Sequence, residues 1–131
     1  NWRYGIPNTK YLKYAVEDGN EVHGFITLSE RPLRNARVHF IADMVAESGD
    51  VMNSLVSKVI DDSNMIGVDL LVYSLLADKI YHRVMKNNGF ISFSFIKNNY
   101  LGVYSCSSRF SKSFLQDKKN WFFQHADTDT I

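Results

Sequence analysis

The chain is poor in the residues that announce specialised chemistry. Cys106 is its only cysteine, so no internal disulfide can form, and a reducing, cytoplasmic setting is expected. No apolar run approaches the roughly 20 residues of a membrane-crossing helix, and no signal-peptide pattern is present. Charge of one sign is lacking too: 15 basic and 14 acidic side chains leave a formal charge of +1. That balance excludes a global field for nucleic acid or a membrane surface, and nucleic acid is not an expected partner. No metal is expected either, because ligand spacings such as His-x-x-x-His are missing. There is no internal repeat and no low-complexity segment. What the chain does have is apolar bulk, at 45 % of residues, with nine Phe, seven Tyr and two Trp among 131. That is enough for one packed domain and too much for disorder.

Periodicity gives the organisation. Residues 1–9 are irregular, punctuated by Gly5, Pro7 and Asn8, and read as an opening segment or the tail of an upstream part. The chain starts on Asn1, which fits processing or a C-terminal portion of something longer. From residue 10 to 131 one domain is expected. Leu12, Tyr14 and Val16 alternate, then "EDGNE" turns, then Val22, Gly24, Ile26 and Leu28 alternate again. A third strand, "RVHFIADMVA", places Val38, Phe40, Ala42 and Met44 on one side. The period then changes: Val51, Met52, Leu55, Val56, Val59 and Ile60 form a helical stripe over about 50–62, with Ser48 or Asp50 as its cap. "VDLLVYSLL" reads as a buried strand, and a helix over about 77–88 turns Ile80, Val84 and Met85 inward and ends at Gly89. "FISFSF", "GVYSCSS" and "WFFQH" read as further strands, and "RFSKSFLQDKKN" as a loop or short helix. The fold class is α/β (α+β) with a mixed sheet in the order βββ-α-β-α-ββ. The helical crossover makes the third and fourth strands parallel neighbours. It also puts the amides of residues 48–52 at the carboxyl end of a strand and the start of a helix, a place that favours anions.

In this order and pattern the sequence resembles the Gcn5-related N-acetyltransferase (GNAT) family from its second strand onward. "LLADKIYHRVMKNNGF" is similar to the family's fourth helix and its terminal Gly-Phe, "GNEVHGFITL" to its second hairpin, and "ARVHFIADMVA" to its central strand. The family's N-terminal strand and helix pair is missing. The resemblance implies an acyl-coenzyme A, acetyl-CoA first, lying between the two parallel central strands. Backbone groups of the central strand, Met44 and Val45 here, would pair with its pantetheine arm. The following loop, Ser48, Gly49, Asp50, Val51 and Met52, would hold its pyrophosphate, with Asp78 near the cofactor. This loop departs from the family's Gln or Arg-x-x-Gly-x-Gly or Ala pattern. Glu47 stands where Gln or Arg is usual, Asp50 where the first Gly is, and Met52 where the second Gly or Ala is. The two acids oppose phosphate binding, and Met52 brings a long side chain to a place of close backbone approach. An ordinary capped helix start explains the same residues.

Transfer to an amine needs a base, a polarised thioester and a protonated leaving group. Asp43, on the face opposite Phe40, Ala42 and Met44 if alternation holds, is the first candidate base, or a carboxylate satisfied by His39 or Arg37. Glu47 is the second. The family's usual acid, a Tyr four residues before Gly-Phe, is Met85 here; Tyr81, one turn earlier, is a packed aromatic or a substitute. His23 and His39, in adjacent strands, are placed to sit close together. Cys106 has no adjacent basic partner and reads as a strand residue. The chain also resembles a relative of such domains found at the end of longer bacterial chains, through Trp2-Arg3-Tyr4 with Pro7, Asp43, and Trp121 with Asp127 and Asp129. That resemblance implies an acceptor pocket lined by Trp2, Arg3, Tyr4, Asp127 and Asp129.

The expected function is therefore acetyl transfer from acetyl-CoA to a small amine-bearing metabolite or amino sugar, by direct attack. The alternative is a non-catalytic binding or accessory domain of a longer protein that kept the fold and lost phosphate binding and transfer. An aminoacyl or peptidyl transferase fragment is a third reading. An upstream domain of the same chain, or a homodimer, is the expected protein partner, because open sheet edges need cover.

Overall fold

A computed structural model describes residues 10–75, 79–96 and 99–117 of the chain. Strands β1 (Tyr11–Asp18), β2 (Glu21–Leu33) and β3 (Ala36–Ala46) form an antiparallel meander. Helix α1 (Gly49–Met65) then crosses to β4 (Leu70–Leu75), which lies parallel to β3. Helix α2 (Lys79–Asn87), β5 (Ile91–Ile96), β6 (Asn99–Ser105) and the short α3 (Lys112–Gln116) complete the described chain. The six strands are ordered β1-β2-β3-β4-β6-β5, so the expected mixed sheet and crossover are both present. "WFFQH" lies outside the described residues.

Helix α1 forms for the reasons its pattern gives. Ser48 is the N-cap and its hydroxyl accepts the Val51 amide at 3.2 Å. Met52, Leu55, Val56, Val59, Ile60 and Ser63 make its buried face. The helix runs three residues past the expected end, because Ile66 and Gly67 provide the C-terminal cap. Helix α2 stops where Gly89 adopts φ 90° and the Phe90 amide reaches back to the Met85 carbonyl at 3.1 Å, a left-handed cap that a Cβ would strain. Val84 and Met85 are buried as expected, but Ile80 is 49 % exposed. It lies at the start of the helix, beyond the edge of the core.

Two cores sandwich the sheet. On one face α1 and α2 cover Ile26, Leu28, Leu71, Tyr73 and Phe90. On the other, Leu115 of α3 covers Val38, Leu70, Val72 and Val103. Tyr73 lies flat across Gly102: a Cβ there would fall 2.2 Å from its ring. Phe90 meets the same ring edge-on, with centroids 5.7 Å apart.

The strand faces depart from simple alternation in β3. Leu28 pairs with Ile41 but Thr27 pairs with Asp43, so Ala42 is an extra residue and the strand bulges. Val38 and Phe40 therefore pack on the α3 side while Met44 packs on the α1 side. The four residues expected on one face are divided between two. The ends of the first two strands also lie beyond the core, with Leu12 39 % and Val22 60 % exposed.

Candidate functional site

The parallel pairing of β3 with β4 lasts four residue pairs, from Val38 with Leu70 to Ile41 with Tyr73. Its closed end is clamped. The Asp69 amide donates to the Arg37 carbonyl at 2.9 Å, the Arg37 amide to Asp69 Oδ2 at 2.8 Å, and Arg37 Nη1 to the Ile66 carbonyl at 2.6 Å. Beyond Tyr73 the register ends while β3 continues five residues to Ala46. The two central strands therefore part, and the stretch of β3 after the bulge lines an opening.

Which backbone groups face that opening follows from the bulge. Amides alternate sides along a strand, and the Ala46 amide points away from β2, to the Tyr81 hydroxyl of α2 at 3.3 Å. Met44 shares its phase, and its amide is held by Asp43 Oδ1 at 2.9 Å. Val45 does not share it: its carbonyl turns toward β2, 2.9 Å from where a Gly24 Cβ would stand. Of Met44 and Val45, the two residues expected along a pantetheine arm, Met44 turns its amide away from β2 and Val45 turns its carbonyl toward it; Ala46 shares the phase of Met44. Simple alternation missed Ala46, and only the strand register identifies it.

The bulge also moves Asp43. It stands opposite Met44, as expected, but on the same face as Phe40, half-buried beside Thr27. Its carboxylate accepts the Met44 amide. His39 lies elsewhere, paired with Glu30, while His23 sits near the far end of β3. The two histidines are not neighbours. His39 is fully buried, and neither ring nitrogen has a hydrogen-bond partner among the described residues. Desolvation first, opposed by Glu30 and then reinforced by Arg37, holds its pKa below the ordinary histidine value.

His23 instead meets Glu47, Nδ1 to Oε1 at 2.9 Å, and the Glu47 amide donates to the His23 carbonyl at 3.0 Å. The acid that stood against phosphate binding is thus tied to an imidazole. This pair depends on register across β2 and β3, a non-local feature that no local motif marks.

At the start of α1, the Val51 amide is taken by Ser48 Oγ and the Met52 amide by the Ser48 carbonyl at 3.0 Å. Gly49 and Asp50 then carry the first-turn donors that the helix cannot pair internally. Gly49 faces α2, with Ile80 Cγ2 3.7 Å from its Cβ position. Met52 does not crowd this turn. Its side chain is 0 % exposed and belongs to the core. Asp50 is exposed and acidic at the same helix end. Gly24 lets the turn lie close to β2, since a Cβ there would meet Val51 Cγ1 at 2.8 Å.

Met85 is buried at 1 % exposure and has no proton to donate. Tyr81 is half-buried and packs against the same core. The Cys106 thiol is pushed up to about 12 by burial and then by Asp69, which suppresses the thiolate a nucleophile needs. Trp2, Arg3, Tyr4, Asp78, Asp127 and Asp129 lie outside the described residues, as does Trp121. Among the described residues no group of three His, Cys, Asp or Glu side chains is placed to hold a metal ion. No described helix is long and apolar enough to cross a membrane, which says nothing of a β-barrel.

No family model and no curated protein matches the sequence. Solved structures do match in fold. An aminoglycoside 6'-acetyltransferase type Ii superposes with TM-score 0.64 at 15 % identity, over 82 % of this chain and 76 % of that one. An N-acetyltransferase from Staphylococcus aureus Mu50 gives TM-score 0.63 at 13 % identity, over 73 % and 68 %. The yncA protein of Salmonella typhimurium, solved with its cofactor acetyl-CoA, gives 0.59 at 14 %, over 77 % and 68 %. Together these matches show that the chain has the GNAT fold.

Proposed function

We propose that this domain binds an acyl-coenzyme A in the opening between β3 and β4 and transfers the acyl group to an amine. The observation that carries the reading is the pair of β3 amides, Met44 and Ala46, presented along the opening just below the first turn of α1. The residues fit such a ligand in their backbone. The Met44 and Ala46 amides suit the amide groups of an extended arm, and the Gly49 and Asp50 amides with the helix dipole suit its anionic end. Met52 is out of the way and Glu47 is paired with His23; Asp50 is the remaining unfavourable charge. When bound, acyl-CoA supplies an activated thioester.

Asp43 is the residue we assign to hold the proton of the acceptor amine. It stands one residue from the opening, and its carboxylate leaves the Met44 amide when another acceptor takes that amide. His23, oriented through Nδ1 by Glu47, offers its other ring nitrogen at the outer end of the same strand face. The acceptor is proposed to be a small amine-bearing metabolite or amino sugar, in keeping with a fold match to an aminoglycoside acetyltransferase.

Calorimetric titration with acetyl-CoA tests the reading. Micromolar binding, followed by transfer to an amine panel that falls at least tenfold in Asp43→Asn, is the expected result. Binding without transfer to any amine would favour an accessory binding domain, the second reading. Buried Met85 at the usual acid position is the observation on its side. No binding up to millimolar acetyl-CoA would refute the transferase reading and leave the accessory domain, its coenzyme site lost.

A further inference from the structure

Both backbone amides that face the opening are occupied by the chain's own side chains. The Met44 amide holds the neighbouring Asp43 carboxylate, whereas the Ala46 amide holds a group from across the opening, the Tyr81 hydroxyl of α2. A partly buried amide needs a partner, and here it borrows one from the far wall. We propose that Tyr81 is a latch: its phenol closes the opening in the free chain, and a ligand laying an amide-bearing arm along β3 must displace it. This rests on the coenzyme reading above and concerns the regulation of that same site.

Three features make the contact removable. At 3.3 Å it lies beyond the usual 2.7–3.2 Å range of amide-to-oxygen bonds and is weak. A neutral phenol leaves without exposing a buried charge. Tyr81 also lies in the first turn of α2, away from the end that Asn88 and Gly89 hold. The far end of that nine-residue helix is fixed by Gly89 and by Asn88, which donates to Asn53 Oδ1 at 2.7 Å and accepts from Ser57 at 3.2 Å. Val84 and Met85 are buried there. The near end has Ile80 49 % exposed, with ordinary van der Waals spacing to Gly49. Swinging the phenol aside leaves the anchored half of α2 in place. A closed fraction in the free chain lowers apparent affinity in proportion.

The test compares wild type with Tyr81→Phe, which keeps the ring packed on the core and removes only the hydroxyl. Hydrogen exchange at the Ala46 amide is followed in the free chain, with Met44 as internal reference, and coenzyme A binding is measured by calorimetry. Faster exchange at Ala46 with coenzyme A binding about two- to fivefold tighter is the expected result. Unchanged exchange at Ala46 would overturn the latch, because the bond would not be protecting the amide. Faster exchange with equal or weaker coenzyme A binding would overturn it as well, by showing the hydroxyl is no competitor. If wild type and variant both fail to bind coenzyme A, the coenzyme reading falls and the latch with it. That failure is told apart by the silence of the wild type itself.

Discussion

Truncating Met52 to alanine separates two views of the strand-to-helix turn. If the side chain projects into the turn, its removal costs little and opens room for a ligand. The structure instead buries it completely among Leu55, Val56, Leu71 and the other residues between α1 and the sheet. Alanine removes Cγ, Sδ and Cε, each about as large as a methylene, for roughly 2.4 kcal/mol of lost transfer energy at about 0.8 each. A residual cavity adds to this, so the expected loss is about 3 kcal/mol, inside the roughly 2–5 kcal/mol span of such core truncations. Against a stability of about 5–15 kcal/mol that is a large shift. Urea denaturation followed by circular dichroism measures it, as a lower midpoint with an unchanged slope. Met52→Leu, which nearly conserves volume, is expected to cost under about 1.5 kcal/mol and to leave coenzyme A affinity unchanged. A loss below about 0.5 kcal/mol in Met52→Ala, together with tighter coenzyme A binding, would refute the placement of Met52 in the core.

Gly102→Ala drives a Cβ into the Tyr73 ring, which Phe90 holds edge-on. Thermal unfolding is expected to show a loss of about 3 kcal/mol, at the upper end of overpacking costs; a loss near zero would mean the ring is free to move. Asp50→Asn removes the exposed acid at the start of α1. At about 6 Å in water one charge contributes roughly 0.7 kcal/mol, so coenzyme A is expected to bind about threefold tighter by calorimetry, with the gain shrinking in high salt. His39 has a depressed pKa in the folded chain, so below about pH 6.5 the unfolded chain binds more protons. Its contribution to stability is therefore complete above about pH 6.5 and declines as pH falls from there toward the folded-state value. Urea midpoints between pH 5 and 7 are expected to slope less in His39→Gln than in wild type, and equal slopes would contradict the assignment.

Local periodicity was a sound guide wherever one element settles its own phase. The stripe from Met52 to Ile60, the stop at Gly89 and the parallel crossover were all legible, because helix spacing and a left-handed cap are properties of adjacent residues. The phase of β3 was not. Ala42 is an extra residue only with respect to β2, and nothing in "FIADMVA" marks it. The faces of Phe40 and Asp43, and the exchange of Val45 for Ala46 along the opening, all follow from that one bulge. The His23–Glu47 pair and the reach of Tyr81 to Ala46 were hidden for the same reason: each joins segments 24 or more residues apart in sequence. Exposed Ile80 shows a further limit, since periodicity names a face of a helix but not how far along it the core extends.

The short parallel pairing has a mechanical meaning. The sheet consists of two antiparallel halves, β1-β2-β3 and β4-β6-β5, each held by long ladders of strand pairs. Between them run four rungs and the Arg37–Asp69 clamp, in the parallel geometry that is the weaker per residue. Load borne by the sheet's own hydrogen bonds therefore concentrates on one seam, hinged at Arg37 and ending at Tyr73, while the helical core packed over both halves shares the rest. Anything lying along the open end and touching both halves works as a splint, stiffening the sheet where its own hydrogen bonds run out.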